Sequence, residues 1–327
     1  MSIAKLAHRI EKALDSVLPV DNNPSPVIQA YLGYSTTAEI IVRGRVLADI
    51  AASPVSPNSS VFANAWAMAR NFATWELADV EVKCGAVATT TGEEGYFRLA
   101  LPRSHFRLGE NHITLPKYNC QVAADAVVTS SAARFGTISD IDDTVMKTDA
   151  WALHRNIWNT VSGNFHTRHV FPDSAELISK LHDEVNPVFY VSSSPWNLYR
   201  FLSDVFARNG LVKGPMFLRD LGIDDNKFIK SSHGSHKGSA IDEILAANPD
   251  LQFVLLGDTG QHDAQVYLEA INRHPGRIRF VALRHAGIID AADNMALKAI
   301  EDSNVPCYRG ASFHDVDLAG SDQKDAT

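Results

Sequence analysis

Asp140, Asp142, Asp258 and Asp263, with Ser192 and Lys237, stand where short apolar runs of this sequence give way to polar turns or where a helix is about to begin. Asp140-Ile141-Asp142-Asp143-Thr144 closes the run that opens at Phe135, and Ser192-Ser193-Ser194-Pro195 follows Pro187–Val191. Arg219-Asp220 follows Met216–Leu218, and Lys237 stands just before a helical stretch at Ser239–Ala247. Gly257-Asp258-Thr259-Gly260-Gln261-His262-Asp263 follows Phe253–Leu256, and Arg284-His285 follows Ile278–Leu283. Taken singly, an acidic turn means little, because Asp and Asn favour turns for backbone reasons. Gathered on one edge of one sheet, three or four carboxylates would repel, and each would resist ionising. A divalent cation removes that conflict. The all-oxygen donor set favours Mg²⁺ over Zn²⁺, and no His-x-His or Cys-x-x-Cys pair competes for a softer metal.

Whether these residues meet depends on the elements that carry them. From Phe135 onward, strand-like and helix-like segments alternate. Phe135–Asp140, Pro187–Val191, Met216–Leu218, Phe253–Leu256 and Ile278–Leu283 read as strands. Between and after them, Asp173-Ser174-Ala175-Glu176 has the spacing of a capping box, with Leu177, Ile178 and Leu181 on the apolar face behind it. Trp196–Asn209 reads as a helix stopped by Gly210, and Ser239–Ala247, Asp263–Arg273 and Ala291–Asp302 as three more. This alternation predicts an α/β domain with a parallel sheet covered by helices on both faces. In such a sheet, ligands bind outside the carboxyl ends of the strands, where all of these polar residues fall.

The preceding half has another grammar. Val27–Tyr34, Glu39–Leu47, Ala78–Thr90, Tyr96–Leu101 and His112–Leu115 are short runs rich in Val, Ile, Thr and aromatics, with Thr91–Gly95 suited to a hairpin turn. Asn58-Ser59-Ser60 would cap an inserted helix from Val61 to about Trp75. The sum is a small β-sandwich-like domain over 27–130, without an acid/base cluster, and is best suited to an interaction or orienting role. Residues 1–26 place Ile3, Leu6, Ile10, Leu14, Val17 and Leu18 at helical spacing. That helix either packs on its own domain or, through Lys5, Arg9 and Lys12, lies on a membrane surface. The residues 320–327 are small and polar, as a disordered tail would be.

Composition narrows the classes further. A chain of 327 residues with 45% hydrophobic side chains has material for about two domains. The net charge of −8 argues against a dedicated nucleic-acid binder. Three scattered cysteines make neither a disulfide framework nor a thiolate zinc site and fit a reducing cytoplasm. No run is long and apolar enough to span a membrane, and the N-terminus lacks the compact apolar core of a signal peptide. No Gly-x-Gly-x-x-Gly follows a strand, and no P-loop is present, so dinucleotide and nucleotide-kinase readings fail.

At this point the motifs resemble a known set. Asp140-x-Asp142-x-Thr144, Ser192, Lys237 and Gly257-Asp258 with Asp263, in that order, are similar to the four motifs of haloacid-dehalogenase-type phosphatases. More narrowly, Ile138-Ser139-Asp-Ile-Asp-Asp-Thr-Val145, Ser192-Ser-Ser-Pro-Trp196-Asn197-Leu198-Tyr199, Phe217-Leu-Arg219-Asp220 and His236-Lys237 resemble the phosphatidate phosphatases of the fungal actin-patch-protein type and their bacterial relatives. Tyr31-Leu32-Gly33-Tyr34 and Val42-Arg43-Gly44-Arg45-Val46-Leu47 resemble the segment that precedes the catalytic domain in that family. The resemblance implies a haloacid-dehalogenase-like catalytic domain over 135–319 and an aspartyl-phosphate mechanism. Asp140 would be the nucleophile and Asp142 the general acid and base. Asp140, the backbone carbonyl of Asp142, and Asp258 would hold Mg²⁺. Ser192 would donate to a phosphoryl oxygen, Lys237 would neutralise charge, Asp263 would orient Lys237 or a metal-bound water, and Thr144 would support the turn.

The spans Asp140–Ser192 and Ser192–Lys237 are largely used by core elements, so the domain should be nearly capless. An open nucleophile suits a phosphate displayed on a membrane or macromolecule better than a small metabolite, which needs a lid. The expected partner is therefore a phospholipid at a membrane surface, met by a cytoplasmic, peripheral enzyme, with no nucleic acid. The −8 charge opposes binding to an anionic bilayer, whereas Lys227, Lys230, His233, His236, Lys237, His166, Arg168 and His169 would form either a local basic face or an ordinary solvated surface. Arg219, Arg284 and Trp196 are candidates for substrate contact; Arg219 and Arg284 could instead pair with carboxylates, and Trp196 could be core. Another exposed phosphomonoester and a non-catalytic scaffold stay as alternatives.

Overall fold

The computed structural model describes residues 25–48, 76–147, 170–219, 233–286 and 289–317. The expected N-terminal helix, the inserted helix after Asn58, the flap with His166, Arg168 and His169, the Asp220–Lys230 stretch and the tail lie outside these residues.

The second half is a six-stranded, all-parallel sheet. Its strands are β9 (Gly136–Asp140), β10 (Val188–Pro195), β11 (Met216–Arg219), β12 (Phe253–Asp258), β13 (Ile278–Arg284) and β14 (Cys307–Gly310). Their order across the sheet is β11-β10-β9-β12-β13-β14. The chain winds outward from β9 in one direction, then returns to β12 and winds outward in the other. The crevice between β9 and β12 is the switch point of a doubly wound sheet. Leu256 on β12 pairs with Ser139 and Val191 on β10 with Asp140, so the ends of these three strands lie side by side.

Alternation along the strands builds two cores, one on each face of the sheet. Helices α1 (Pro172–His182) and α2 (Tyr199–Arg208) cover one face, where Leu177, Ile178, Leu202 and Phe206 meet Tyr190, Met216, Val254 and Ala282. Helices α3 (His233–Ala247), α4 (Asp263–Arg273) and α5 (Ala291–Glu301) cover the other, where Ile241, Ile244, Tyr267 and Leu297 meet Ile138, Phe189, Leu255 and Val281. Every residue of β9 is buried, as a central parallel strand requires.

Residues before Ser130 form two four-stranded sheets. One has the order β5-β2-β1-β8, from β1 (Pro26–Ser35), β2 (Glu39–Ala48), β5 (Tyr96–Pro102) and β8 (Ala126–Val127). The other has the order β4-β3-β6-β7, from β3 (Glu81–Cys84), β4 (Val87–Thr90), β6 (His112–Leu115) and β7 (Cys120–Ala123). Ile40, Val42, Phe97, Val82, Ile113 and Leu115 share one core cluster between them. Tyr34 and Ile41 instead join the core of the α/β half.

Several expectations need correction. The run Ala78–Thr90 is two strands, because Gly85 turns the chain with φ of 57°. Thr91–Gly95 does turn, with Gly95 N donating to Gly92 O at 2.9 Å, but β4 and β5 on either side belong to different sheets, so it is no hairpin. Helix α1 has no capping box: Pro172 fixes its first residue, and the Asp173 carboxylate is drawn away to Arg284, Ser312 and Phe313. Helix α3 starts at His233, so Lys237 lies within it rather than before it. Strands β7 and β14 are short and partly polar and β8 is only two residues long, and their sequence carried no clear signal. Among the described residues, no helix is long and apolar enough to cross a membrane.

Candidate active site

Asp140 ends β9 and Asp258 ends β12, so the two carboxylates face one another across the switch point. Asp263, at the start of α4, completes a buried trio whose ligand atoms all lie within 4.8 Å of one another. Among the described residues, Lys237 pairs with two of this trio. Lys237 Nζ lies 2.7 Å from Asp140 Oδ1 and 2.5 Å from Asp263 Oδ1, with all three side chains sealed from solvent. The other Asp263 oxygen accepts from the backbone N–H of Asp258 at 3.1 Å. Asp263 thus ties the lysine to the β12 terminus. The arrangement needs a residue without a side chain at 257, because a Cβ there would stand 2.7 Å from both Asp263 Oδ2 and the Tyr267 hydroxyl.

Charge does not balance. Burial pushes the Asp140 carboxyl well above its usual range; Lys237 opposes this, while Asp263, Asp258 and Asp142 reinforce it. Burial and then Asp263 push Asp258 up to about 8, against Lys237 and the N–H of Gly260. Burial alone would discharge Lys237, but Asp140, Asp263 and Asp258 outweigh it and hold the ammonium above its ordinary range. Asp140 Oδ2 and Asp258 Oδ2 are cut off from solvent and accept no hydrogen bond from any described residue. Buried carboxylate oxygens left without donors are what a hard divalent cation requires, and the donor set is all oxygen. The residues present therefore fit Mg²⁺.

Asp142 is held apart from the trio. Its Oδ2 accepts from Ser192 Oγ at 2.7 Å and from Ser194 Oγ at 3.1 Å. Ser192 Oγ in turn accepts from the Ser194 N–H at 2.9 Å. The Asp142 carbonyl accepts from Gln261 Nε2 at 3.0 Å. The turn beyond runs through Asp143 with φ of 57°, tolerable for Asp, and closes as Asp143 N donates to Met146 O at 2.8 Å. The Thr144 hydroxyl is buried without a partner among the described residues, and the turn is held through its carbonyl, which accepts from Ser174 Oγ at 2.6 Å. Sequence reasoning missed Ser194 and Gln261. Each lies within one of the motif segments, but nothing in spacing shows which of three serines turns inward.

Two of the three substrate candidates, Arg284 and Trp196, are engaged in packing contacts. Arg284 is buried, and its Nη2 donates to Asp173 Oδ2 and to Ser174 Oγ, each at 2.7 Å, between the rings of Phe171 and Phe313. It serves as a structural ion pair, the alternative weighed for it. Trp196 stacks on Tyr31 with ring centroids 4.3 Å apart. Arg219 ends β11 beside Pro195, half-buried, and burial, then Arg219 and Lys237, lower the pKa of His236.

Residues 135–285 match the family model described as phosphatidate phosphatase APP1, catalytic domain. Phosphatidate phosphatase APP1 of Saccharomyces cerevisiae is 30% identical over 150 residues, which are 46% of this chain and 25% of that protein. An uncharacterized protein of Schizosaccharomyces pombe is 30% identical over 152 residues, 45% of this chain and 24% of that one. The matched stretch spans about a quarter of the length of these relatives. A solved type IV self-sufficient cytochrome P450 monooxygenase aligns with 86% of this chain and 32% of its own at 11% identity, but its TM-score of 0.22 bears on neither fold nor function. The resemblance to the actin-patch-protein type of phosphatidate phosphatase is thus supported by a family model and by sequence identity.

Proposed function

We propose that this chain is a Mg²⁺-dependent phosphatase that hydrolyses phosphatidate to diacylglycerol and phosphate. Its catalytic domain, 135–319, would be haloacid-dehalogenase-like and nearly capless, preceded by a β-sandwich-like domain over 27–130. The observation that carries the reading is the pair of donorless, buried oxygens of Asp140 and Asp258 facing one another at the switch point beside Lys237.

Asp140, Asp258 and the carbonyl of Asp142 would hold Mg²⁺. When bound, the ion would neutralise the carboxylate excess and draw charge from the phosphoryl oxygens. The chain's own residues would carry out the rest. Asp140 attacks phosphorus through one carboxylate oxygen, and the bond from phosphorus to the glycerol oxygen breaks. Asp142 gives its proton to the departing alkoxide. In the second half, Asp142 takes a proton from water, the water oxygen attacks the phosphoaspartate, and phosphate leaves with Asp140 restored. Lys237, fixed by Asp263, offsets charge on nucleophile and phosphoryl group. Ser192 would have to exchange its contact with Asp142 for one with phosphate, leaving Ser194 to hold the acid. A phospholipid at a membrane surface, met peripherally from the cytoplasm, is the expected partner.

The test is phosphate release from phosphatidate in detergent micelles with Mg²⁺, with EDTA and Asp140→Asn as controls and p-nitrophenyl phosphate and a 5′-phosphorylated oligonucleotide beside it. Mg²⁺-dependent turnover of phosphatidate, lost in Asp140→Asn and well above the other substrates, is the expected result. Turnover of only the soluble substrates would keep the mechanism and discard the lipid. No turnover by folded, Mg²⁺-bound protein would discard both.

A further inference from the structure

Three of the four residues that follow the serine loop, Trp196, Asn197 and Tyr199, are held from outside the parallel sheet. Trp196 stacks on Tyr31 of β1 at 4.3 Å, with the ring planes 13° apart. Tyr199 packs against the same Tyr31 ring at 4.5 Å, and its hydroxyl accepts from the Leu32 N–H at 2.8 Å. Asn197 Oδ1 accepts from Arg45 Nη1 of β2 at 3.0 Å. Arg45 is itself immobilised: it is buried, donates to the Glu94 carbonyl at 2.7 Å and pairs with Glu76 at 2.5 Å. Arg43, two residues earlier, lies over the Trp196 ring and donates to the Met216 carbonyl on β11 at 3.2 Å.

Two sheets that merely needed to bury apolar surface would do so without direction. These contacts are directional and fall on Trp196, Asn197 and Tyr199, immediately after Ser192, Ser194 and Pro195. On its other side the serine segment is itself the end of β10, which pairs with β9 up to Asp140. The loop is therefore fixed at both ends, one in each half of the molecule. The two hydroxyls so fixed are those on Asp142. A misplacement of about 1 Å at such a group can cost on the order of 10² in rate.

We propose that Tyr31 and Arg45 are positioning residues for the serine loop, so that the β1–β2 sheet sets the catalytic geometry of Ser192, Ser194 and Asp142. The effect on rate rests on the phosphatase reading; the effect on loop geometry does not. The Tyr31 hydroxyl has no hydrogen-bond partner among the described residues, so the ring alone carries its role.

The experiment uses the full chain with Tyr31→Leu and Asn197→Ala, each set against a conservative partner, Tyr31→Phe and Asn197→Asp. Tyr31→Leu and Asn197→Ala should lower kcat about tenfold or more on both phosphatidate micelles and p-nitrophenyl phosphate, with KM within about twofold. Tyr31→Phe and Asn197→Asp should restore most of it. Amide hydrogen exchange is read in parallel: the segment 192–199 should exchange faster in the two disruptive variants, with β9 and β12 unchanged. Unaltered exchange in that segment, or acceleration across the whole sheet, overturns the proposal whether or not the wild type shows turnover. Unchanged kcat with a lowered melting temperature overturns it too, and a rise confined to KM for the lipid would make Trp196 a substrate contact instead.

Discussion

Lys237 and Asp263 meet at 2.5 Å with both side chains sealed from water, and the same ammonium reaches Asp140 at 2.7 Å. One lysine in α3 therefore joins the end of β9 to the start of α4, against three buried carboxylates.

Removing the cation and removing an anion should have opposite signs. Lys237→Met leaves buried carboxylates uncompensated and should destabilise the metal-free protein by about 3–5 kcal/mol. Asp258→Asn relieves repulsion and should stabilise the metal-free protein at pH 8 by about 1 kcal/mol, some 2–4 °C in melting temperature. Both should abolish Mg²⁺-dependent turnover. Thermal melts in EDTA decide it: a loss in both variants would mean that packing, not charge, dominates the site.

Proton linkage follows from Asp258. Its pKa moves from the ordinary 3.8 up to about 8 in the fold, so between these values the folded state holds a proton that the unfolded chain has lost. The contribution to metal-free stability is fully present below the unfolded pKa and is lost as pH rises through about 8. Cation binding needs the carboxylate ionised, so Mg²⁺ should bind more tightly as pH rises toward 8 and release protons at pH 7. Calorimetry in buffers of different ionisation enthalpy measures that release; heats that do not vary with buffer would refute it.

Arg284 should matter for stability rather than for substrate. Arg284→Met strands Asp173 in a buried site and should cost about 3–5 kcal/mol, with KM for micellar phosphatidate within about twofold. Arg284→Lys should rescue little, because one ammonium cannot replace a planar guanidinium between Phe171 and Phe313. A raised KM with unchanged melting would reinstate it as a phosphate ligand.

Gln261→Leu removes the donor to the Asp142 carbonyl. The Asp142 carboxyl stays, but its backbone loses a fixed point. We expect kcat to fall about tenfold, a net hydrogen bond's worth in the transition state, with the melting temperature nearly unchanged. Equal kcat in Gln261→Leu and wild type would show that Ser192 and Ser194 suffice to hold Asp142.

The pattern of apolar runs and helical periods marked every strand from β9 to β13 and the helices between them, because parallel strands buried on both faces are largely apolar, although β9 carries Thr137 and Ser139. Asp140, Asp142, Ser192, Lys237, Asp258 and Asp263 could be picked out because each follows such a run or adjoins a helix start. The doubly wound order, which brings β9 beside β12, could not be read, since nothing local records which strands become neighbours. The same holds for the partners of Arg284 and Trp196: Asp173 and Tyr31 are far away in sequence and meet them only when the sheet and its helices close. Local residue types thus determined which groups could do chemistry. Burial and pairing across the chain decided which of them face a common crevice, which hydroxyls hold Asp142, and which cation is left to balance three carboxylates.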